Sequence, residues 1–194
     1  MKKYKNKKQI SIIITAKELF YKHGFKRVSV EEICQTAKVS KMTFYKYYPN
    51  KIELAKAVYA NLIEGSISKF QDILHGNTSA EEKLQKLLML KIESTNDISI
   101  EFVQDFYNDT ELGLKEFIID LNEKYQNTIL KDFVYAQEKG WFNKDVDISL
   151  MFSISQKIMG LIDDPILLQK YESPQNIIIA ITNLFTYGLG PRNK

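Results

Sequence analysis

The chain has 194 residues, 44% of them hydrophobic, with 27 basic and 24 acidic side chains and a formal net charge of +3, which is enough apolar material for one large domain or two small ones. Its one cysteine, Cys34, excludes an internal disulfide and fits a reducing, cytoplasmic setting, and no apolar run reaches the roughly 18–20 residues of a membrane span. The small net charge hides a split: residues 1–56 hold 14 Lys/Arg against 4 Asp/Glu, a net +10, and residues 57–194 hold 13 against 20, a net −7, the pattern of a polyanion-binding module joined to something with another job.

The start, "MKKYKNKKQ", has the charge of a signal-peptide basic region. The apolar stretch after it is short and continues into "KELFYKHG" without a small-residue cleavage site, so it reads as part of a mature soluble protein. Ile10, Ile13, Ala16 and Phe20 then fall at helical spacing, with Gly24 where a C-terminal cap belongs. Ser29 and Glu32 form a capping-box pattern before a helix that sets Ile33 and Ala37 on one face. Ser40 caps a third short helix, which Pro49 ends by forcing residue 48 out of the helical region.

From Lys51 to His75 a single amphipathic stripe runs through Ile52, Ala55, Tyr59, Ile63, Ile67, Phe70 and Leu74, weakened but not ended by Gly65. Further helices are predicted from Ser79 through about Ser94, near 98–109 and over 113–138. A turn at 139–143 follows, and then a helix from Asp147 to about Ile162. Asp164-Pro165 and Ser173-Pro174 are cap-then-proline starts. The expected fold is all-α, and "SIIITA" and "NIIIAI", strand-like on propensity alone, sit inside longer helical periods.

Three helices with a tight turn, "KVS", between the second and third describe a helix-turn-helix unit. Phe44 and Tyr48 lie four apart on the third helix and pack inward with Val39. Lys41, Met42, Thr43, Tyr45, Lys46 and Tyr47 are left at or near the outside. A DNA major groove presents phosphates on its walls and base edges and thymine methyls on its floor, which suits lysines mixed with tyrosines and a methionine.

Residues 14–54 also resemble the DNA-binding domain of the TetR/AcrR-type transcriptional regulators. The likeness rests on Leu19-Phe20, Gly24-Phe25, Ser29, Val30 and Ile33, then Val39, Ser40, Thr43, Phe44, Tyr45, Tyr48, Lys51 and Leu54. Met42 departs from the small residue common at its position, Tyr47 from histidine and Tyr48 from phenylalanine, departures that bear on operator preference. The resemblance implies that Ser29 and Thr43 bond phosphates, that Tyr45, Tyr47 and Lys51 anchor the backbone, that Lys41 and Met42 face bases, and that Lys46 reaches either. Lysines 2, 3, 5, 7 and 8 form either an arm at the minor groove or a solubilising tail.

The same resemblance implies a DNA-binding domain over 1–55 and an effector-binding and dimerisation domain over 56–194. Its partners are then a palindromic double-stranded operator, a second copy of the chain and an unidentified small-molecule effector, with no membrane. The residues agree. The stretch 147–162 is apolar on two sides and 176–189 nearly all round, so a four-helix contact across a twofold axis is expected through Leu150, Ile154, Ile158, Leu161, Ile177, Ile181, Leu184 and Phe185. Candidate pocket residues are Met89, Phe102, Phe106, Tyr107, Phe117, Tyr125, Phe133, Trp141 and Phe152, with Gln104, Asn108, Gln126 and Gln156 as polar neighbours.

No catalytic, metal or cofactor site is expected. His23 and His75 belong to no ligand motif, Cys34 sits beside Ile33 as a buried thiol, and no Gly-rich phosphate loop is present. The function read from the sequence is a regulator, a repressor released from its operator by an effector. The alternative is an adaptor of the same fold that acts through a protein partner.

Overall fold

The computed structural model describes residues 6–108 and 112–190. The described residues form helices and no strand. The helices are α1 (Lys7–His23), α2 (Val30–Thr36), α3 (Lys41–Tyr47), α4 (Lys51–His75), α5 (Ala80–Ser94), α6 (Ile100–Val103) running on as a π-helical turn (Gln104–Asn108), α7 (Leu114–Glu138), α8 (Ile148–Ile158) with a 3₁₀ turn (Met159–Leu161), α9 (Pro165–Tyr171) and α10 (Pro174–Leu189).

Side-chain caps explain where most of these begin. Ser29, Ser40, Ser79 and Ser173 each accept a hydrogen bond from a backbone N–H three residues on, at 3.1–3.2 Å. Asp164 does the same for Ile166 and Leu167 ahead of a proline at the first helical position. Two stretches depart from simple helical period. The helix expected near 98–109 widens to a π turn at Gln104–Asn108, which a periodic pattern does not register. The helix expected to reach Ile162 tightens to 3₁₀ where Gly160 lowers helix propensity.

The chain packs as two compact units. One lies within Met1–Glu64 and Asp97–Leu121, the other within Gly65–Asn96 and Asn122–Lys194. This packing division differs from the functional division expected near residue 55, because residues 97–121 pack with the first helices.

The core of the first unit is aromatic. Phe106 is fully buried, its ring 4.3 Å from Phe102 and 6.1–6.3 Å from Tyr59, Phe20 and Phe25. Full burial of rings of this size contributes roughly 1.5–3 kcal/mol each.

In the second unit Leu74, Ala136, Phe142 and Ile148 form the centre, flanked by Phe70, Leu87, Phe133 and Trp141. The last turn of α4 is closed by Lys83, which is fully buried. Its ammonium donates to the carbonyls of Ile73 (3.2 Å), Leu74 (2.9 Å) and Gly76 and lies 4.3 Å from the Trp141 ring centroid. No described helix is long and apolar enough to cross a membrane.

Candidate nucleic-acid interface

The α2–turn–α3 segment is held from inside by apolar contacts and from the ends by caps. Ile33 and Phe44 are fully buried and Tyr48 is 5% exposed. Between the helices Lys38 takes the left-handed conformation (φ 54°), and the Val39 N–H reaches the Cys34 carbonyl at 2.9 Å, closing α2 in a Schellman-type turn. Glycine is the usual residue at such a φ, so a lysine here costs on the order of 1 kcal/mol. Ser11 of α1 donates to the Ala37 carbonyl at 3.1 Å and ties the turn down.

Outside, α3 carries the row foreseen from the sequence. Met42 is 82% and Tyr45 52% exposed, Lys41 and Lys46 are exposed, and Thr43 and Tyr47 are half-buried. The Lys41 ammonium forms an ion pair with the Glu31 carboxylate on the first turn of α2. Ser29 and Thr43 have local partners: Ser29 caps α2, and the Thr43 hydroxyl lies 3.0 Å from that of Ser40. Of the N-terminal lysines, Lys7 and Lys8 are exposed on α1, and Lys2, Lys3 and Lys5 lie outside the described residues.

Lys51 is placed differently from the expectation. Its ammonium donates to the carbonyls of Phe25 (2.8 Å), Val28 (2.7 Å) and Lys26 (3.4 Å) and lies 4.2 Å from the Phe25 ring centroid. Burial holds its pKa below the usual lysine range. With its ammonium donating to three carbonyls of the α1–α2 loop, Lys51 clamps that loop.

Two carboxylates missed in the sequence hold the same loop from a distance in the chain. Asp105 accepts from the Lys26 backbone N–H at 2.9 Å, and Glu101 pairs with Arg27 at 3.1 Å. Gly24 (φ +78°) lies so close to them that a Cβ there would sit 2.8 Å from the Asp105 carboxylate and the Glu101 Cβ. A separation of about 80 residues leaves no local signal for these contacts.

A family model described as "Bacterial regulatory proteins, tetR family" matches residues 12–58, the span of α1 to α3 and the first turns of α4. Over that span the chain is similar to the tetR-family regulatory proteins, the likeness expected from its sequence. Among TetR-family relatives, it is 23% identical over 190 residues to the fatty acid metabolism regulator protein of Bacillus subtilis, covering 93% of each chain. It is 20% identical over 152 residues to the transcriptional repressor KstR2 of Mycobacterium tuberculosis, covering 76% of this chain and 75% of the relative. The crystal structure of the regulator FadR from Bacillus subtilis in complex with stearoyl-CoA has the same fold, with a TM-score of 0.64 at 17% identity over 93% of this chain and 98% of that one.

The remaining candidate residues divide by burial. Phe102 and Phe106 lie in the aromatic core of the first unit, where Tyr107 meets Tyr59 hydroxyl to hydroxyl at 3.1 Å and Phe117 lies under Lys56. In the second unit Phe133 and Trp141 pack on the core centre, and Tyr125 and Phe152 are half-buried. Met89, 52% exposed, lines an open groove of about 400 Å³ with Lys69, Asp72, Ile73, Lys86, Leu90 and Glu93. The side chains of Asn108 and Gln156 lie outside the described residues.

The two-sided pattern of α8 has physical content. Ile148 and Ile162 are buried, whereas Leu150 (58%), Ile154 (41%) and Leu161 (42%) are exposed and Ile158 is half-buried. On α10 Leu184 is 68% exposed and Ile181 and Phe185 are half-buried, but Ile177 is 2% exposed inside its own unit.

Proposed function

We propose that this TetR-family regulator is a dimeric repressor whose α3 helices enter successive major grooves of a twofold operator, and which a small-molecule effector releases. The observation that carries the DNA reading is the row Lys41, Met42, Tyr45 and Lys46, exposed on a helix whose inner residue, Phe44, is fully buried. Met42 and the exposed half of the Tyr45 ring present apolar surface to water, and beside lysines they suit a groove of phosphates, base edges and methyls. Ser29, Thr43 and Tyr47 flank the row and supply phosphate contacts through the donors their local bonds leave over.

The exposed apolar residues Leu150, Ile154, Leu161 and Leu184, with Ile158, Ile181 and Phe185 beside them, form the surface that a second copy covers. Ile177, already inside the core, is not part of it. We assign DNA binding to the functional domain of residues 1–55 and effector binding to residues 56–194. A relative named a repressor supports the direction of control, and the neighbour crystallised with stearoyl-CoA supports an effector with an extended apolar part.

By linkage, such an effector weakens DNA binding only as far as it prefers a state that DNA does not. Fluorescence anisotropy with the chain's own upstream DNA, at two salt concentrations, tests the reading. Binding of two chains per site is expected, with affinity falling steeply with salt and at least tenfold in Lys41→Ala and Tyr45→Ala. Adding long-chain acyl thioesters is expected to lower the anisotropy. Weak binding that neither substitution changes sinks the operator reading.

A further inference from the structure

We infer that Glu31 is a specificity-determining residue of the DNA interface, and that with Lys41 it reads one G·C base pair in each half of the operator. The inference rests on the operator reading above and adds to it an acidic residue that a charge count treats as a liability.

Glu31 lies on the first turn of α2 and Lys41 is the first residue of α3, and their charged ends meet across the turn with the two side chains 56% and 55% exposed. As a tie between helices the pair has little to do. Exposed ion pairs contribute little to stability, and α2 and α3 are already fastened by Ile33, Phe44 and their serine caps. As part of a phosphate-binding face the carboxylate is unfavourable, since phosphates repel it.

A carboxylate does accept from the N4 amino group of cytosine, and a lysine donates to O6 and N7 of guanine. On the major-groove edge of a G·C pair, guanine O6 and cytosine N4 are hydrogen-bonded neighbours. An acceptor and a donor held together by their own ion pair are the complementary couple. An A·T pair offers one such couple, but it gives the ammonium a single acceptor there and places the thymine methyl beside it. Met42, 82% exposed beside Lys41, is the side chain suited to a methyl on a neighbouring pair.

The test is selection of bound duplexes from a random pool by the full chain, by Glu31→Gln and by Glu32→Gln. Glu32 sits in the same first turn and loses the same charge, while the ion pair of Lys41 is with Glu31. The wild-type chain is expected to return a twofold consensus with G·C at a defined position of each half. Glu31→Gln should lose that preference by roughly tenfold while keeping the other positions, and gain affinity for non-specific DNA. Glu32→Gln should keep the wild-type consensus. Should Glu31→Gln melt early, Glu31→Asp, which withdraws the carboxylate by one methylene, carries the same expectation.

An unchanged consensus in Glu31→Gln, or equal shifts in the Glu31 and Glu32 variants, overturns the inference and leaves Glu31 as a helix-terminal charge. A wild-type selection without any consensus overturns the operator reading itself. A wild-type consensus that Glu31→Gln keeps leaves that reading standing and removes Glu31 from it.

Discussion

Lys51 in the first unit and Lys83 in the second solve one problem under different access to water. Each lays its ammonium on three backbone carbonyls and over an aromatic ring, Phe25 for Lys51 and Trp141 for Lys83. The carbonyls at Lys83 are those of the end of α4 and the turn after it, which have no helical partner, whereas those at Lys51 belong to an irregular loop. Lys83 is fully buried and Lys51 half-buried. The comparison teaches that a lysine in a basic segment is not thereby a DNA contact, and one in an acidic half is not thereby a solubilising charge.

The largest effect should come from Lys83→Met, which keeps the stem and removes the donors. The buried Leu74 carbonyl loses its side-chain donor and the part-buried Ile73 carbonyl is partly rehydrated, while Gly76 keeps the Thr78 N–H. A buried group left unpaired costs about 1–3 kcal/mol and the charge no longer buried returns part, so a net loss of about 2 kcal/mol is expected in urea unfolding. A neutral result would mean that burying the ammonium costs as much as its bonds return. Lys51→Met should lose about 1 kcal/mol or less, because water reaches the exposed Lys26 carbonyl and in part those of Phe25 and Val28. It also decides the role of this side chain. A clamp leaves the salt dependence of DNA binding unchanged, whereas a phosphate contact lowers its slope by about 0.9.

A further effect depends on pH. Burial, and then Tyr59, push the Tyr107 phenol well above its usual range near 10. The folded chain therefore keeps a proton that the unfolded chain releases. The associated stability is present in full below about pH 10 and is lost as pH rises past it. Tyr107→Phe removes the 3.1 Å hydroxyl contact, costs about 1 kcal/mol at neutral pH, and should flatten the alkaline decline measured by urea unfolding between pH 8 and 11. An unaltered slope would assign the decline to other groups.

What was legible in the sequence follows the range of each interaction. Caps act over three residues, so Ser29, Ser40, Ser79, Asp164 and Ser173 mark helix starts directly. The inside and outside of α3 follow from a four-residue spacing, and so do the buried and exposed sides of α8. Contacts made by the tertiary fold left no such trace. Asp105 and Glu101 reach the loop after α1 from about 80 residues away, Lys51 turns inward, and Phe102 and Phe106, pocket candidates by sequence, join a core, where most aromatics at helical spacing lie. The pairing of Glu31 with Lys41 needed the fold of the turn between them, because ten residues of spacing carry no helical register across a left-handed lysine.

The two sides of α3 have a consequence for how such a regulator changes over time. Phe44 and Tyr48 hold the helix in place, while Met42 faces solvent and Tyr45, whose ring meets that of Phe44 at 5.3 Å, leaves half its surface exposed. Substitutions at exposed positions of that kind usually alter stability by no more than about 0.5 kcal/mol. Lineages carrying this scaffold are therefore free to drift in the DNA they address without first acquiring compensating mutations, and an engineer retargeting it inherits the same freedom. Gly24, wedged against Asp105 and Glu101, marks where that freedom stops.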